Sequence, residues 1–376
     1  MNLAIKIKRN LNNIPGWRTQ RKIVVLESDD WGSIRMPSKK KYQVLIKRGI
    51  KVDYNNNWFL DCLESGEDLQ ILFSIISKYK DPKNNYPLFT MNTVMGNPDF
   101  EKIKESKFET FYHEHFFNSY KRYHDCDMQQ IWNQGIQDGL IQPQFHAREH
   151  LNVSLWLKDL HGGYTETREA FNHGFFGLVT NTSSINQNHY LAAFRAESPS
   201  ELNYIKIAIK EGLDMFEDTF GFRSKSFIAC NYIWPQDLEP VLQQESITII
   251  QGQRGRFQPD PFKKGQGKII RNYTGQKNSL GQIHTVRNVK FEPFEDPDKD
   301  WVNQCLKEIQ TAFFWHKPAI ISTHRINYAG GIDIKHRDRN LKALDNLLKN
   351  ILRKWPEVEF LSSDQLGDLI RKSENK

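Results

Sequence analysis

The chain has 376 residues, 38% of them hydrophobic and 12% aromatic, which is enough to bury a large core and too apolar for a disordered protein. Lysine and arginine number 52 against 45 acidic residues; the resulting +7 is scattered apart from short clusters such as Lys39-Lys40-Lys41, and no nucleic-acid-binding motif accompanies it. Cys62, Cys126, Cys230 and Cys305 lie far apart without a C-x-x-C pair, a pattern that excludes a disulfide framework and predicts reduced thiols.

The N-terminal stretch MNLAIKIKRNLNNIPGW alternates Lys and Arg with apolar residues and lacks the run of about 7–15 apolar residues that a secretory signal needs. No segment reaches the roughly 18 apolar residues of a membrane span, so a soluble cytoplasmic protein is expected. Short β-branched runs then alternate with helical periodicity, predicting strands over 22–28, 87–93, 141–146, 175–180, 226–231, 247–251, 283–291, 319–324 and 358–362. Between them Leu69, Leu72, Phe73 and Ile76 recur at helical spacing. Ser198-Pro199-Ser200-Glu201 reads as a capping box with Pro at the first helical position, and Gly221 as the stop of that helix. Leu341, Leu344, Leu348, Ile351, Leu352 and Trp355 form one apolar stripe that predicts a helix packed on the core. The alternation predicts a parallel sheet, closed into a barrel or left open, in a single domain over 1–376, with loop insertions near 99–127 and 251–281.

Three strand ends carry the residues with chemistry. The apolar run Val24-Val25-Leu26 drives into Glu27-Ser28-Asp29-Asp30-Trp31, placing adjacent carboxylates at the carboxyl end of a buried strand, where α/β folds keep their functional groups. The run 141–146 ends in His146-Ala147-Arg148-Glu149-His150; two His four apart on one helical turn offer both imidazoles to one metal, and the order of residues is not the H-E-x-x-H of metalloproteases. The run Ile320-Ile321-Ser322-Thr323 ends in His324. One carboxylate and two imidazoles suit Zn²⁺, Co²⁺ or Mn²⁺, and the remaining carboxylate and His suit a base and an acid, the inventory of an amide or ester hydrolase. His113 and His115 alternate in an extended segment and point to opposite sides, so they predict no second metal site.

In order and spacing these motifs resemble the polysaccharide deacetylases, the NodB-homology carbohydrate esterases, over roughly 22–363. The resemblance implies an incomplete (β/α) barrel in which Asp29 is the catalytic base, Asp30, His146 and His150 hold a divalent metal, most simply Zn²⁺, and His324 is the general acid. The segment Ile228-Ala229-Cys230-Asn231-Tyr232 is similar to the family's Arg-Pro-Pro-Tyr; it makes the Tyr232 backbone N–H an oxyanion donor and puts Asn231 beside the substrate, but it lacks the Arg that steers the base. Arg148 or Arg325, each next to a motif His, is the candidate replacement and substrate contact. Where the family reads Asp-Asp-Gly this chain has Asp29-Asp30-Trp31, which offers Trp31 as a platform for a sugar ring. For the family's Asp-x-x-x-Trp motif, residues 296–301 are a loose match.

The function implied is removal of an acetyl group from an N-acetylated or O-acetylated saccharide precursor, with no nucleic-acid partner. A glycoside hydrolase using paired carboxylates and a sugar-binding barrel without activity are the alternatives.

Overall fold

The computed structural model describes residues 3–52, 57–124, 126–178 and 190–374. Its main sheet contains Ile23–Trp31 (β1), Phe89–Val94 (β2), Ile141–Ala147 (β3), Ser226–Ile228 (β4), Ile249–Gln253 (β5), Ile283–Arg287 (β6), Val289–Lys290 (β7), Ala319–His324 (β8) and Glu359–Leu361 (β9). The order is β6-β5-β4-β3-β2-β1-β8-β7, with every pairing parallel. Such a sheet must be covered on both faces, and all nine residues of β1 are buried.

The two ends of that path, β6 and β7, are separated in sequence by Asn288 alone. The Asn288 N–H donates to Ile320 O at 3.2 Å and its Oδ1 accepts the Ile320 N–H at 2.9 Å, so one residue carries the ladder around and leaves the barrel nearly closed. Strand β9 pairs with Ile23–Val25 at the start of β1, on the edge that β2 takes over from Leu26 onward. It acts as a wedge at the bottom of the barrel.

Helices cover the outside for reasons visible in their ends. Helix Pro199–Phe220 starts where Ser198 Oγ accepts the Glu201 N–H at 3.2 Å and stops at Gly221, whose φ of 74° admits the left-handed turn. The Glu201 carboxylate accepts from the Glu197 N–H at 2.6 Å instead of returning to Ser198, so the predicted capping box is half formed. A Cβ at Gly212 of this helix would lie 2.9 Å from the Phe145 ring and from Arg148 Cβ. Glycine there lets the helix lie directly on the segment that carries His146. Helix Ile334–Lys354 buries Leu341, Leu344, Leu348 and Ile351 of the predicted stripe.

Four expectations change. Residues 175–178 form no strand: Phe175, Phe176 and Leu178 are apolar because they pack with Trp156 and Leu160 in a second core outside the sheet, and 179–180 lie outside the described residues. The strand predicted over 226–231 ends at Ile228, because Asn231 and Tyr232 turn left-handed at φ 56° and 55°. The single run over 283–291 is two strands, broken at Asn288. Both insertions carry regular structure among their described residues: 99–127 contains helices Phe100–Glu105 and Phe116–Tyr123, and 251–281 contains the hairpin Gly255–Pro259 with Gly267–Arg271. No helix among the described residues is long and apolar enough to cross a membrane.

Candidate active site

In a regular strand, adjacent side chains leave on opposite faces. Asp29 and Asp30 escape that rule because the register of β1 against β2 slips between Ser28 and Trp31, and Asp30 adopts φ 76°, a left-handed conformation that Asp tolerates better than most residues. Both carboxylates therefore line one cleft of about 350 Å³ at the carboxyl ends of the strands, with His146, His150, Asn231 and His324. A second cavity of about 510 Å³ shares Tyr232 and His324 with it, so the catalytic candidates stand where two cavities meet.

Asp30 Oδ1 lies 3.5 Å from His146 Nε2 and 3.3 Å from His150 Nε2. The His146 Nδ1–H donates to Ile228 O at 2.9 Å, which turns Nε2, the nitrogen a metal would take, toward the carboxylate. The carboxylate oxygen and the two facing nitrogens form a donor set that a divalent cation would complete. Burial opposes charge on His146, but the neighbouring Cys230 sulfur and the Asp30 carboxylate raise its pKa well above the usual histidine value, so without an ion Nε2 carries a proton that a metal would displace. His150 goes the other way; burial and the Arg35 guanidinium keep it neutral, and its buried Nδ1 has no hydrogen-bond partner. Arg35 donates to Asp30 Oδ1 at 3.0 Å and, despite the cost of burial, contributes with both His rings to holding that carboxyl far below the usual range. Asp30, His146 and His150 thus fit a divalent ion in donor type and convergence. They do so without the predicted helical turn: His146 ends β3, residues 148–151 bend, and the next helix begins at Val153. Cys230 Sγ joins this group, 3.9 Å from His146 Nε2.

Asp29 faces a different environment. Arg287, at the end of β6, clamps it with Nη2 to Oδ1 at 2.6 Å and Nη1 to Oδ2 at 2.7 Å, while Nε donates to Glu27 Oε2 at 2.7 Å. Asn92 adds a bond to Oδ1 at 2.7 Å. Burial alone would push the Asp29 carboxyl up, but the guanidinium outweighs it and holds the group down at about 2. His324 is level with Asp29 in the β1–β8 register, and its Nε2 lies 3.7 Å from Asp29 Oδ2. Its Nδ1–H donates to Glu292 Oε1 at 2.6 Å, and Asn327 fixes the other Glu292 oxygen at 2.7 Å. Burial lowers the imidazole, but Glu292 and Asp29 raise it to about 9. At neutral pH the site therefore holds an ionised carboxylate and a protonated imidazole side by side, a base and an acid set apart by their surroundings.

Several predicted site residues stand elsewhere. Trp31 is only 1% exposed and stacks on Tyr328 at a centroid distance of 6.5 Å in the core, so it forms no sugar platform. Trp58 lines the cleft instead, with its ring edge-on to His324 at 5.6 Å. Arg148 is tied to Glu149, Glu211 and the Tyr204 hydroxyl, and Arg325 to Asp61 and Glu64; neither reaches Asp29 or lines the cleft. The Tyr232 N–H already donates to Ala229 O at 3.0 Å, so it is not a free oxyanion donor, while its hydroxyl accepts from Arg287 at 2.9 Å. Asp296 accepts the Trp301 indole N–H through its backbone oxygen; the carboxylate that touches His324 is Glu292. His113 and His115 are half-buried in a short ribbon, and His115 Nε2 lies 2.7 Å from Thr219 Oγ1.

Fold and site together define a nearly closed (β/α) barrel with a carboxylate–imidazole cluster and an acid–base pair at its mouth. Among solved structures it is similar to a Mycobacterium smegmatis protein assigned to the polysaccharide deacetylases, at 8% identity and a TM-score of 0.45, covering 96% of this chain and 94% of that one. It is also similar to PuuE allantoinase, at 9% identity and a TM-score of 0.47, covering 94% and 91%, and to the peptidoglycan deacetylase PdaC of Bacillus subtilis, at 9% identity and a TM-score of 0.34, covering 94% of each. No family model matches the chain, and no curated protein does.

Proposed function

We propose that the protein is a metal-dependent hydrolase that removes acetyl groups from an N-acetylated saccharide. The observation that carries this reading is the pairing of ionised Asp29 with protonated His324 beside the convergent Asp30, His146 and His150. A bound Zn²⁺, or Co²⁺ or Mn²⁺ in its place, would polarise the acetyl carbonyl and acidify water. Asp29 accepts a proton from that water as its oxygen bonds to the acyl carbon. His324 donates its Nε2 proton to the amide nitrogen as the C–N bond breaks, and acetate and a free amine result. Arg287 keeps Asp29 ionised and aimed, and Glu292 keeps the imidazole protonated. Trp58 and the second cavity give a saccharide an aromatic wall and room to extend.

Paired-carboxylate glycoside hydrolysis is less well supported, because the other carboxylates near Asp29 are committed: Glu27 to Arg287 and Ser363, Glu292 to His324 and Asn327. The test is acetate release from N-acetylated oligosaccharides by the metal-loaded protein. Release should vanish on chelation and return with zinc; reducing-sugar release that ignores the chelator would defeat the reading.

The acid gives a pH test. A histidine raised from the usual value of about 6.5 to about 9 is fully protonated below the lower figure and loses its proton as pH rises through the upper one. kcat/KM should therefore fall above about pH 9. In Glu292→Gln the fall should begin at lower pH, leaving the rate at pH 6 little changed and that at pH 8 reduced. A profile that keeps its upper limb would remove Glu292 from this role.

A further inference from the structure

We infer that Cys230 is a fourth protein ligand, so that the metal centre is Asp30, His146, His150 and Cys230, a thiolate-containing site that favours zinc or cobalt. The inference rests on the metal-binding reading of the first three residues and adds a ligand to it. Cys230 stands between β4 and the left-handed turn at Asn231 and Tyr232, and its fully buried side chain meets the cluster at His146 as well as the apolar core. Its Sγ and the ring nitrogens of His146 and His150 all lie within 4.8 Å of one another.

The spacing suits four protein donors around one ion, and the water or acetyl oxygen of the proposed reaction would enter as a fifth ligand, an expansion that zinc allows. Metal–nitrogen bonds of about 2.05 Å and a metal–sulfur bond of about 2.3 Å put nitrogen and oxygen donors roughly 3.3 Å apart and nitrogen and sulfur roughly 3.6 Å apart. The corresponding distances are 3.3 Å from Asp30 to His150, 3.5 Å from Asp30 to His146 and 3.9 Å from His146 to Cys230. Relative to His146, the sulfur stands only a few tenths of an ångström beyond the spacing of two ligands on one ion. On binding, the S–H bond breaks, its proton leaves to solvent, and the sulfur electron pair passes to the metal. A soft thiolate beside two imidazoles selects zinc and cobalt over magnesium and manganese. The other buried thiols stand apart from this group: Cys62 lies beside Gly331 and Cys305 lies in helix Trp301–Phe314.

Cobalt reports the ligand directly. The exposed Cys126 is first changed to Ser so that no surface thiol competes. The 376-residue Cys126→Ser chain loaded with one Co²⁺ should show a sulfur-to-cobalt charge-transfer band in the near ultraviolet. Adding Cys230→Ala should abolish the band, and adding Cys305→Ala should leave it. Because Cys230→Ala is a core change, zinc-edge X-ray absorption on the chain with Cys230 intact supplies a second reading, expected to contain one sulfur at about 2.3 Å. Cobalt bound without the band, or a shell of nitrogen and oxygen alone, overturns Cys230 as a ligand and leaves the three-residue site standing. Failure to bind cobalt or zinc at all overturns both.

Discussion

Replacing Asp29 with asparagine is expected to lower kcat for acetate release by about 10³-fold, the scale of a lost general base, while zinc content stays at the unsubstituted level. The amide keeps the shape of the carboxylate and, through Oδ1, the bonds from Asn92 and one Arg287 nitrogen, but its NH2 loses the second Arg287 bond and it cannot take a proton from water. Replacing Arg287 with methionine tests the same group from outside. Asp29 and Glu27 are both buried and both lean on that guanidinium, and burial already raises Glu27. Removing it leaves two buried carboxylates with only the His324 imidazolium beside Asp29, so the Asp29 pKa rises from about 2. A depressed carboxylate stays ionised above its ordinary value and loses its charge only as pH falls through the depressed one, so the unsubstituted protein should show no acid limb from Asp29 near neutrality. In Arg287→Met an acid limb should move up toward neutral pH, with kcat falling on its acid side. A profile that keeps the unsubstituted shape, or zinc lost from Asp29→Asn, would show that Asp29 has another role.

The strand ends were readable from sequence because burial leaves a local mark: apolar residues run up to the mouth and stop at the charged group. Glu27-Ser28-Asp29-Asp30, His146 with His150, and Thr323-His324 all carry that mark, and the structure brings them to one cleft. What orients them did not show. Arg287 is 258 residues from Asp29 and sits in an unremarkable Val-Arg-Asn-Val run, Glu292 is 32 residues before His324, and Arg35 follows Asp30 in a loop. Side chains that act by filling the second partner of a hydrogen bond have no periodicity of their own. Proximity in sequence misled for Arg148 and Arg325, which sit beside motif histidines and point away from them into their own carboxylates. Trp31 misled for a related reason. Its place after Asp30 suggested the cleft, but the bulge that turns both carboxylates to the mouth sends the indole into the core, and the chain turns at Gly32, φ 80°, one residue later.

Arg325 has an architectural task, and its removal should be the most damaging single change outside the catalytic groups. It is 0% exposed and donates to Asp61 Oδ1 at 2.8 and 3.2 Å, to Glu64 Oε2 at 3.0 Å and to Ser33 O at 2.6 Å. Glu64 in turn accepts the Gly32 N–H at 3.0 Å and the Tyr120 hydroxyl, while Asp61 accepts from Arg35, the residue that holds Asp30. One guanidinium thus joins the end of β8 to the turn after β1 and, through Asp61 and Arg35, to the Asp30 carboxylate. Arg325→Met keeps much of the side-chain volume and strands two buried carboxylates with Arg35 as the nearest cation. The expected loss is about 3–5 kcal/mol, the range for breaking a buried pair by removing one partner, and it is read as a lower urea midpoint with an unchanged slope. Zinc affinity of the folded variant should rise, because Arg35 drawn toward Asp61 frees Asp30 Oδ1, the oxygen that faces both imidazoles. The triple variant Arg325→Met, Asp61→Asn, Glu64→Gln should recover part of the stability, since it removes the stranded charges along with their partner. A single variant as stable as the unsubstituted chain would mean that water reaches Asp61 and Glu64 and that the network does not tie the cleft together.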